Sequence, residues 1–169
     1  RSSDLVRYVV VPLVDNGRLD TAVQESLLIA ELINRAAFLR AKGVGIVFES
    51  DFAPDQLAAF IAKLPADVFG INYDIGNSAS LGFEPSHEFA AYGQRVYNVH
   101  MKDRVLGGTT VALGTGNANF DVVFESLGHL RYLGLVILQT ARAQDGDHAG
   151  ALTQYIDKTQ AFMERYLGS

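Results

Sequence analysis

The feature that most constrains the fold is a regular alternation of short apolar runs with longer stretches of helical periodicity. The runs are rich in β-branched residues, as buried parallel strands are, and strands are predicted over residues 6–14, 44–49, 68–74, 96–103 and 134–142. Helices are predicted over residues 19–41, from residue 54, and over 85–92, 119–130 and 149–166. Strands that alternate with helices favour parallel βαβ units with right-handed crossovers. The sequence therefore predicts an α/β fold of five strands and five helices.

Composition and charge narrow the class of protein. The 169 residues are 49% hydrophobic and 20% charged, which suffices for one buried core, and no linker divides them, so one domain over residues 1–169 is expected. The net charge of −5, without any run of Lys or Arg, argues against nucleic acid as a partner. The absence of cysteine excludes disulfides, thiolate metal ligands and a cysteine nucleophile. No stretch reaches the roughly 18 apolar residues of a membrane span, and we expect a cytoplasmic protein without a membrane partner.

Polar side chains stand at the ends of four successive predicted strands. Each is the first polar side chain after an apolar run or lies within one residue of it: Glu49, Asp74, His100 and Gln139. The carboxyl ends of parallel strands face one crevice, and in barrels this face carries the active site. Two carboxylates, an imidazole and an amide suit Mn²⁺, Mg²⁺, Co²⁺ or Zn²⁺. We interpret the four together as one divalent metal site, although any one alone is better explained as a strand-end polar group held by loop donors.

Several motifs resemble those of the xylose isomerase-like TIM barrels, a family that includes sugar phosphate isomerases and epimerases. These motifs are "VFESD" around Glu49, "NYDIGN" around Asp74, "VHMKDR" at 99–104, and the later "LGTGNANF" and "ILQTAR". The resemblance implies a metal bound by a Glu, an Asp, a His and a final acidic residue. It also implies proton transfer between carbons of a sugar or sugar phosphate, through an enediolate stabilised by the ion. The family's barrel has eight βα units, so a partial barrel of five units is expected, with the N-terminal units absent.

Gln139 departs from the family pattern. Family epimerases carry a Glu there, which serves as a metal ligand and as one of two acid/base groups. An amide can coordinate a metal but cannot carry a proton between carbons. This departure favours isomerisation over epimerisation, with Glu49 as the group that moves the proton. His148, just before the last predicted helix, is kept as a general acid or a substrate contact.

Three further residues are assigned to substrate binding. Lys102 can hold a substrate oxygen or phosphate as a point charge, and Arg142 has a fork that matches a carboxylate or phosphate. Asn77 lies within the "NYDIGN" motif and completes the set. Structural alternatives stay open, because Lys102 can instead pair with Asp103, which can also cap the loop, and Arg142 can pair with a nearby Asp. The expected ligand is a small-molecule sugar or sugar phosphate.

Three functions from different classes compete. The leading one is a metal-dependent isomerase of a sugar or sugar phosphate. A non-catalytic metal- or sugar-binding barrel fragment would keep the same face without the full chemistry. A metal-dependent phosphoesterase related to the apurinic endonucleases of the same superfamily is disfavoured by the acidic balance and the scarcity of histidine ligands. Because five parallel strands leave an uncovered edge, we also expect a homo-oligomer or association with the missing barrel units.

Overall fold

A parallel sheet of five strands forms the centre of the computed structural model, which describes residues 6–168. Residues 1–5 and 169 of the expected domain lie outside the described residues. The strands are β1 (Tyr8–Leu13), β2 (Gly45–Ser50), β3 (Phe69–Asp74), β4 (Val96–Met101), β5 (Asp103–Arg104), β6 (Thr110–Val111) and β7 (Leu135–Leu138). The main sheet has the order β1-β2-β3-β4-β7, with every neighbouring pair parallel. The expectation of an α/β fold with five parallel strands is confirmed.

Helices connect the strands of this sheet. They are α1 (Ala22–Lys42), α2 (Pro54–Ala62), α3 (Ile75–Leu81), α4 (Pro85–Tyr92), α5 (Phe120–His129) and α6 (His148–Leu167), with short 3₁₀ turns at Asp15–Gly17 and Gly93–Arg95. Local signals set their bounds, since Thr21 and Gln24 form a capping box at the start of α1 and proline opens α2 and α4. Within residues 6–168 no helix combines the length and the apolar character that a membrane crossing requires.

Side chains alternate between two faces of the sheet. The outer face packs against helices, as Phe48 of β2 shows, with its ring 5.3 Å from that of Phe60 in α2 and 6.3 Å from that of Phe69 in β3. All three phenylalanines are at most 1% exposed, so this face holds the hydrophobic core. The other face, here called the inner face, carries Glu49 and Asp74 near the carboxyl ends of their strands.

Helix α3 lies where no helix is predicted from the sequence. Its sequence, "IGNSASL", contains a glycine and two serines, which are weak helix formers. The helix forms because Asp74 caps its start, accepting a hydrogen bond from the backbone N–H of Asn77 at 2.8 Å, and Gly82 ends it at a φ of 74°. Asp74 is therefore both the last residue of β3 and the N-cap of α3, which fixes its carboxylate.

The last two strands of the main sheet are shorter than predicted. β4 ends at Met101 rather than at residue 103, because Asp103 pairs with Val111 in the antiparallel sheet of β5 and β6. β7 ends at Leu138 rather than at residue 142. Within the described residues only β4 lies beside β7, and the backbone N–H of Gln139 makes one further bond to Met101 O at 3.1 Å.

Candidate active site

The inner face brings together three of the four residues predicted to bind a metal. One ligand atom each from Glu49, Asp74 and His100 lies within 4.8 Å of the other two. His100 Nδ1 is 3.3 Å from Glu49 Oε2 and 3.7 Å from Asp74 Oδ2. Asp74 and His100 are buried, being 5% and 8% exposed. Two carboxylates this close together are stabilised by a cation, and their oxygens together with an imidazole nitrogen fit a divalent ion.

The register of the strands places these donors. Asp74 of β3 lies directly beside His100 of β4, and two residues earlier Asn72 lies beside Asn98. Asn72 Nδ2 donates to Glu49 Oε2 at 2.9 Å and lies 3.2 Å from His100 Nδ1, while Asn98 donates to Asn72 Oδ1. The two buried asparagines therefore orient the side chains of Glu49 and His100, directly through Asn72 and indirectly through Asn98. The sequence signal for them was a polar residue two positions before a ligand, on the same face of the strand.

His100 supplies positive charge to this group when it is protonated. Burial lowers the pKa of His100, but hydrogen bonds to Asp74 and Glu49, together with the charges of both carboxylates, raise it to about 9. As imidazolium, Nδ1 donates to the carboxylates, and as neutral imidazole it accepts from Asn72 or binds a metal. A divalent ion would therefore displace this proton when it binds.

Asn77, Lys102 and Gln139 border the three ligands. Asn77 Nδ2 donates to Glu49 Oε1 at 2.7 Å. Lys102 Nζ lies 3.2 Å from Asp74 Oδ2, 3.2 Å from Asn77 Oδ1 and 3.0 Å from Gln139 Oε1. The structure therefore brings Asn77 and Lys102, both predicted to bind substrate, to the edge of the ligand group. Gln139, predicted as the fourth metal ligand, joins the same network through Lys102.

Arg142 and His148 lie apart from this network. Arg142 follows β7, is exposed, and its side chain makes no hydrogen bond or ion pair within residues 6–168. His148 is the first residue of α6 and is also exposed, and its imidazole has no hydrogen-bond partner in the described part of the chain. Asp147 beside it caps α6 through the backbone N–H of Gly150. A substrate role for Arg142 and a catalytic role for His148 stay predictions.

Asp103 organises the glycine-rich loop that follows β4. Its side chain is 0% exposed and accepts backbone hydrogen bonds from Gly114, Gly116 and Ala118 at 2.7 to 3.0 Å. A Cβ atom at Gly116 would lie 2.3 Å from Asp103 Oδ1, so only glycine fits there. Of the two alternatives for Asp103, capping of the loop is therefore observed, and Lys102 pairs with Asp74 instead.

Arg104 was missed as a site residue. Its Nη1 donates to Asn77 Oδ1 at 2.9 Å, the same oxygen that Lys102 contacts. Its Nε and Nη2 both donate to the carbonyl of Gly108, at 3.1 and 2.6 Å. The only sequence signal was its place at the end of "VHMKDR", two residues after Lys102 on the chain.

A buried carboxylate behind β3 was also missed. Glu88 of α4 is 2% exposed and accepts hydrogen bonds from the hydroxyls of Tyr73 and Tyr92, each at 2.7 Å, and from Ser78. Burial raises the pKa of Glu88 even though these three hydroxyls act to lower it. Tyr73 precedes Asp74 and Ser78 follows it in α3, so the hydrogen bonds to Glu88 hold the chain in place on both sides of Asp74.

An open cavity of about 430 Å³ adjoins the ligand group. It is bordered by Glu49 and by both cationic side chains, Lys102 and Arg104. The other lining residues come from the loop after β1, the end of β2, α3 and the glycine-rich loop: Val14, Asp15, Ser50, Asp51, Asn77, Ser80, Leu81 and Gly107. This volume is in the range of small-molecule sites, and Glu49 belongs both to the cavity and to the ligand group.

The family model for the xylose isomerase-like TIM barrel matches residues 4–166. The chain therefore belongs to that family, and the predicted partial (β/α) barrel is confirmed. A search of curated protein sequences found no match to the chain.

Solved structures share this fold at low sequence identity. A xylose isomerase domain protein from Planctomyces limnophilus is 18% identical, with a TM-score of 0.79 over 96% of this chain and 62% of its own. The IOLI protein, solved with a binding zinc atom, is 17% identical, with a TM-score of 0.77 over 95% and 64%. D-psicose 3-epimerase, solved in the presence of D-fructose, is 12% identical, with a TM-score of 0.68 over 95% and 65%. The chain spans less than two thirds of the length of each of these three structures.

Proposed function

We propose that the chain carries the metal site of a metal-dependent isomerase that moves a proton between neighbouring carbons of a sugar or sugar phosphate. The observation that carries the proposal is the convergence of Glu49, Asp74 and His100 at the carboxyl ends of three adjacent parallel strands. In α/β barrels this end of the sheet bears the chemistry. The zinc of the IOLI protein and the D-fructose of D-psicose 3-epimerase support an ion and a sugar as the ligands.

The metal would be held by Glu49, Asp74 and His100, with Gln139 as a fourth ligand. A divalent ion of the Mn²⁺, Mg²⁺, Co²⁺ or Zn²⁺ type supplies stabilisation of the negative charge that develops on an enediolate. Gln139 lies near this group, since Lys102 Nζ contacts both Gln139 Oε1 and Asp74 Oδ2, and Gln139 Oε1 would exchange this contact for the ion.

Glu49 is the proposed proton carrier. Asn77 donates a hydrogen bond to its Oε1 and Asn72 donates one to its Oε2, so both carboxylate oxygens are held in place. These two hydrogen bonds from side-chain amides fix the carboxylate where the ligand group meets the cavity. This is the position that a general base requires.

Isomerisation is proposed in preference to epimerisation. Epimerisation by two bases needs a proton carrier on each side of one carbon, and Gln139 cannot carry a proton. Isomerisation through a cis-enediol needs a single base, which takes a proton from one carbon and returns it to the next on the same face. Of the strand-end residues that can carry a proton, Glu49 lines the cavity, whereas Asp74 and His100 do not. His148 is kept as a proposed acid that would act on the substrate oxygens.

We infer that residues 1–169 form a single partial barrel whose open side is covered by further βα units or by a second copy of the chain. Edge strands with exposed apolar side chains support this, since Leu135 and Ile137 of β7 are 52% and 42% exposed. The cytoplasm is the proposed location, where a sugar or sugar phosphate would be the ligand.

The non-catalytic alternative is favoured by one observation, the glutamine at position 139. Without a second proton carrier the chain could bind a metal and a sugar and turn neither over. The phosphoesterase alternative is disfavoured because, within residues 6–168, one group of three acidic or histidine residues can hold an ion, whereas two-metal sites need more ligands.

The test is incubation of the protein and its metal with ketoses and ketose phosphates in deuterated water. We expect aldose that carries deuterium or transferred hydrogen at the neighbouring carbon, and loss of this product in Glu49→Gln. Glu164→Gln, an exposed change on α6, is the matched control and should leave the rate unchanged. Inversion at the reacting carbon without aldose would contradict the single-base proposal, and no turnover of any sugar would favour the binding module.

A further inference from the structure

We propose that Arg104 and Lys102 form an anion subsite beside the metal site, which selects a sugar bearing a terminal phosphate or carboxylate. The inference rests on the proposed function and goes beyond it by naming the substrate class. The observation behind it is that two cationic side chains converge on one neutral oxygen. Lys102 Nζ lies 3.2 Å, and Arg104 Nη1 2.9 Å, from Asn77 Oδ1.

Arg104 is held in place by hydrogen bonds, and no carboxylate within residues 6–168 pairs with it. Two of its nitrogens, Nε and Nη2, are fixed on the carbonyl of Gly108, and the third, Nη1, points to Asn77. The side chain is half-buried, yet within residues 6–168 it has no ion-pair partner. Its neighbour Asp103 is engaged by three backbone N–H groups. A half-buried guanidinium without a counter-charge attracts an anionic group, for which Nη1 and Nη2 each keep one N–H.

Lys102 and Arg104 lie next to the candidate metal site. Lys102 and Arg104 line the cavity of about 430 Å³ that also contains Glu49, so one ligand can reach both. Asp51, a carboxylate on the same cavity, is already paired with Arg18 at 3.3 Å, which reduces its repulsion of an anion. Asp15 also lines the cavity and is exposed to solvent, where its charge is screened.

Metal binding would strengthen the subsite. Lys102 Nζ is 3.2 Å from Asp74 Oδ2, so in the metal-free protein this carboxylate offsets part of the lysine charge. An ion bound by Asp74 would neutralise that carboxylate and leave Lys102 free to attract an anion. The anionic ligand should therefore bind the metal-loaded protein more tightly than the metal-free protein, by about fivefold or more. Because coupling between two sites is reciprocal, the ligand should raise the affinity for the metal by the same factor.

The experiment is calorimetric titration of the metal-loaded protein with three ligands, namely a ketohexose, the same ketohexose carrying a 6-phosphate, and a hexuronate. We expect wild type to bind at least one of the two charged ligands about tenfold or more tightly than the neutral sugar. Preference for the phosphate assigns the subsite to phosphorylated sugars, and preference for the uronate assigns it to sugar acids. Equal affinity for all three, or binding of none, overturns the inference.

Variants locate the preference on Arg104. Arg104→Met should abolish the preference for the charged ligand. Arg104→Lys keeps the charge but loses the planar guanidinium, so it should retain part of the preference. The lysine variant also tests the proposal if the methionine variant does not fold. Arg35→Met, an exposed change on α1 whose arginine pairs with Glu31, is the matched control. A preference that survives in Arg104→Met overturns the subsite. Binding of the charged sugar through Arg104 without turnover refutes the isomerase alone, whereas isomerisation of neutral and charged sugars with equal affinity refutes the subsite alone.

Discussion

The middle of the sheet and its two edges differ in how completely the described chain covers them. Val47 on β2 and Ile71 on β3 are at most 1% exposed, although they lie on opposite faces of the sheet. On the edge strands, Val9 of β1 is 46% exposed and Ile137 of β7 is 42% exposed. The three converging candidate ligands lie on the covered strands β2, β3 and β4, and Gln139, the proposed fourth ligand, follows the edge strand β7. The candidate site is therefore built on the part of the fold that the described chain covers by itself, whereas the edge strands keep apolar side chains exposed.

A matched pair of isoleucines gives the largest expected effect. Ile71→Ala removes a buried side chain of β3 and should lower the free energy of unfolding by about 2 to 5 kcal/mol, because a cavity remains. Ile137→Ala trims a side chain that water already reaches and should cost about 1 kcal/mol or less. Urea unfolding followed by circular dichroism measures both. Equal losses would show that β7 is covered in solution and would remove the contrast between middle and edge.

An intermediate effect is expected from pH, and it concerns the middle of the sheet alone. The pKa of His100 is raised from 6.5 in the unfolded chain to about 9 in the folded one, so the folded protein holds this proton more tightly. The stabilisation is therefore fully present below pH 6.5 and is lost as pH rises through 9. The metal-free protein should lose stability across this range.

Two comparisons check the assignment to His100. His100→Gln should flatten the dependence of the unfolding free energy on pH between 6.5 and 9. Saturating divalent ion should also flatten it, because the ion takes the place of the proton. A slope that is unchanged in His100→Gln would mean that another group carries the effect.

The smallest effect is expected at the edge. If a second copy covers the open side, Leu135→Lys should weaken self-association at least about tenfold, or about 1.4 kcal/mol, because it buries a charge in an apolar contact. Leu152→Lys, at an exposed position of α6, is the control. Sedimentation velocity over a range of concentrations measures both. A wild-type chain that stays monomeric and does not aggregate at micromolar concentration would contradict the proposed self-association.

The sequence predicted the positions of the main strands and three converging ligands because both depend on local patterns. An apolar run marks each buried strand, and the first polar residue after it marks the carboxyl end of the strand, where the candidate site lies, as with Glu49 and Asp74. Helix α3 could not be predicted in this way, since its cap is a residue already assigned to a strand. The contacts of Arg104 and Glu88 were also beyond reach, because their partners at Asn77 and Tyr73 are brought near only by tertiary packing.

Calorimetric titration of the metal-free protein with Zn²⁺ or Mn²⁺ measures directly whether Glu49, Asp74 and His100 bind an ion. We expect one ion per chain, bound at least about tenfold more weakly by Asp74→Asn. This change keeps the cap on α3 because asparagine also caps helices. Gln139→Glu should strengthen binding by adding a charged ligand, and Glu164→Gln should leave it unchanged. No measurable binding to wild type, or equal affinity in wild type and Asp74→Asn, would contradict the assignment of Glu49, Asp74 and His100 as a metal site.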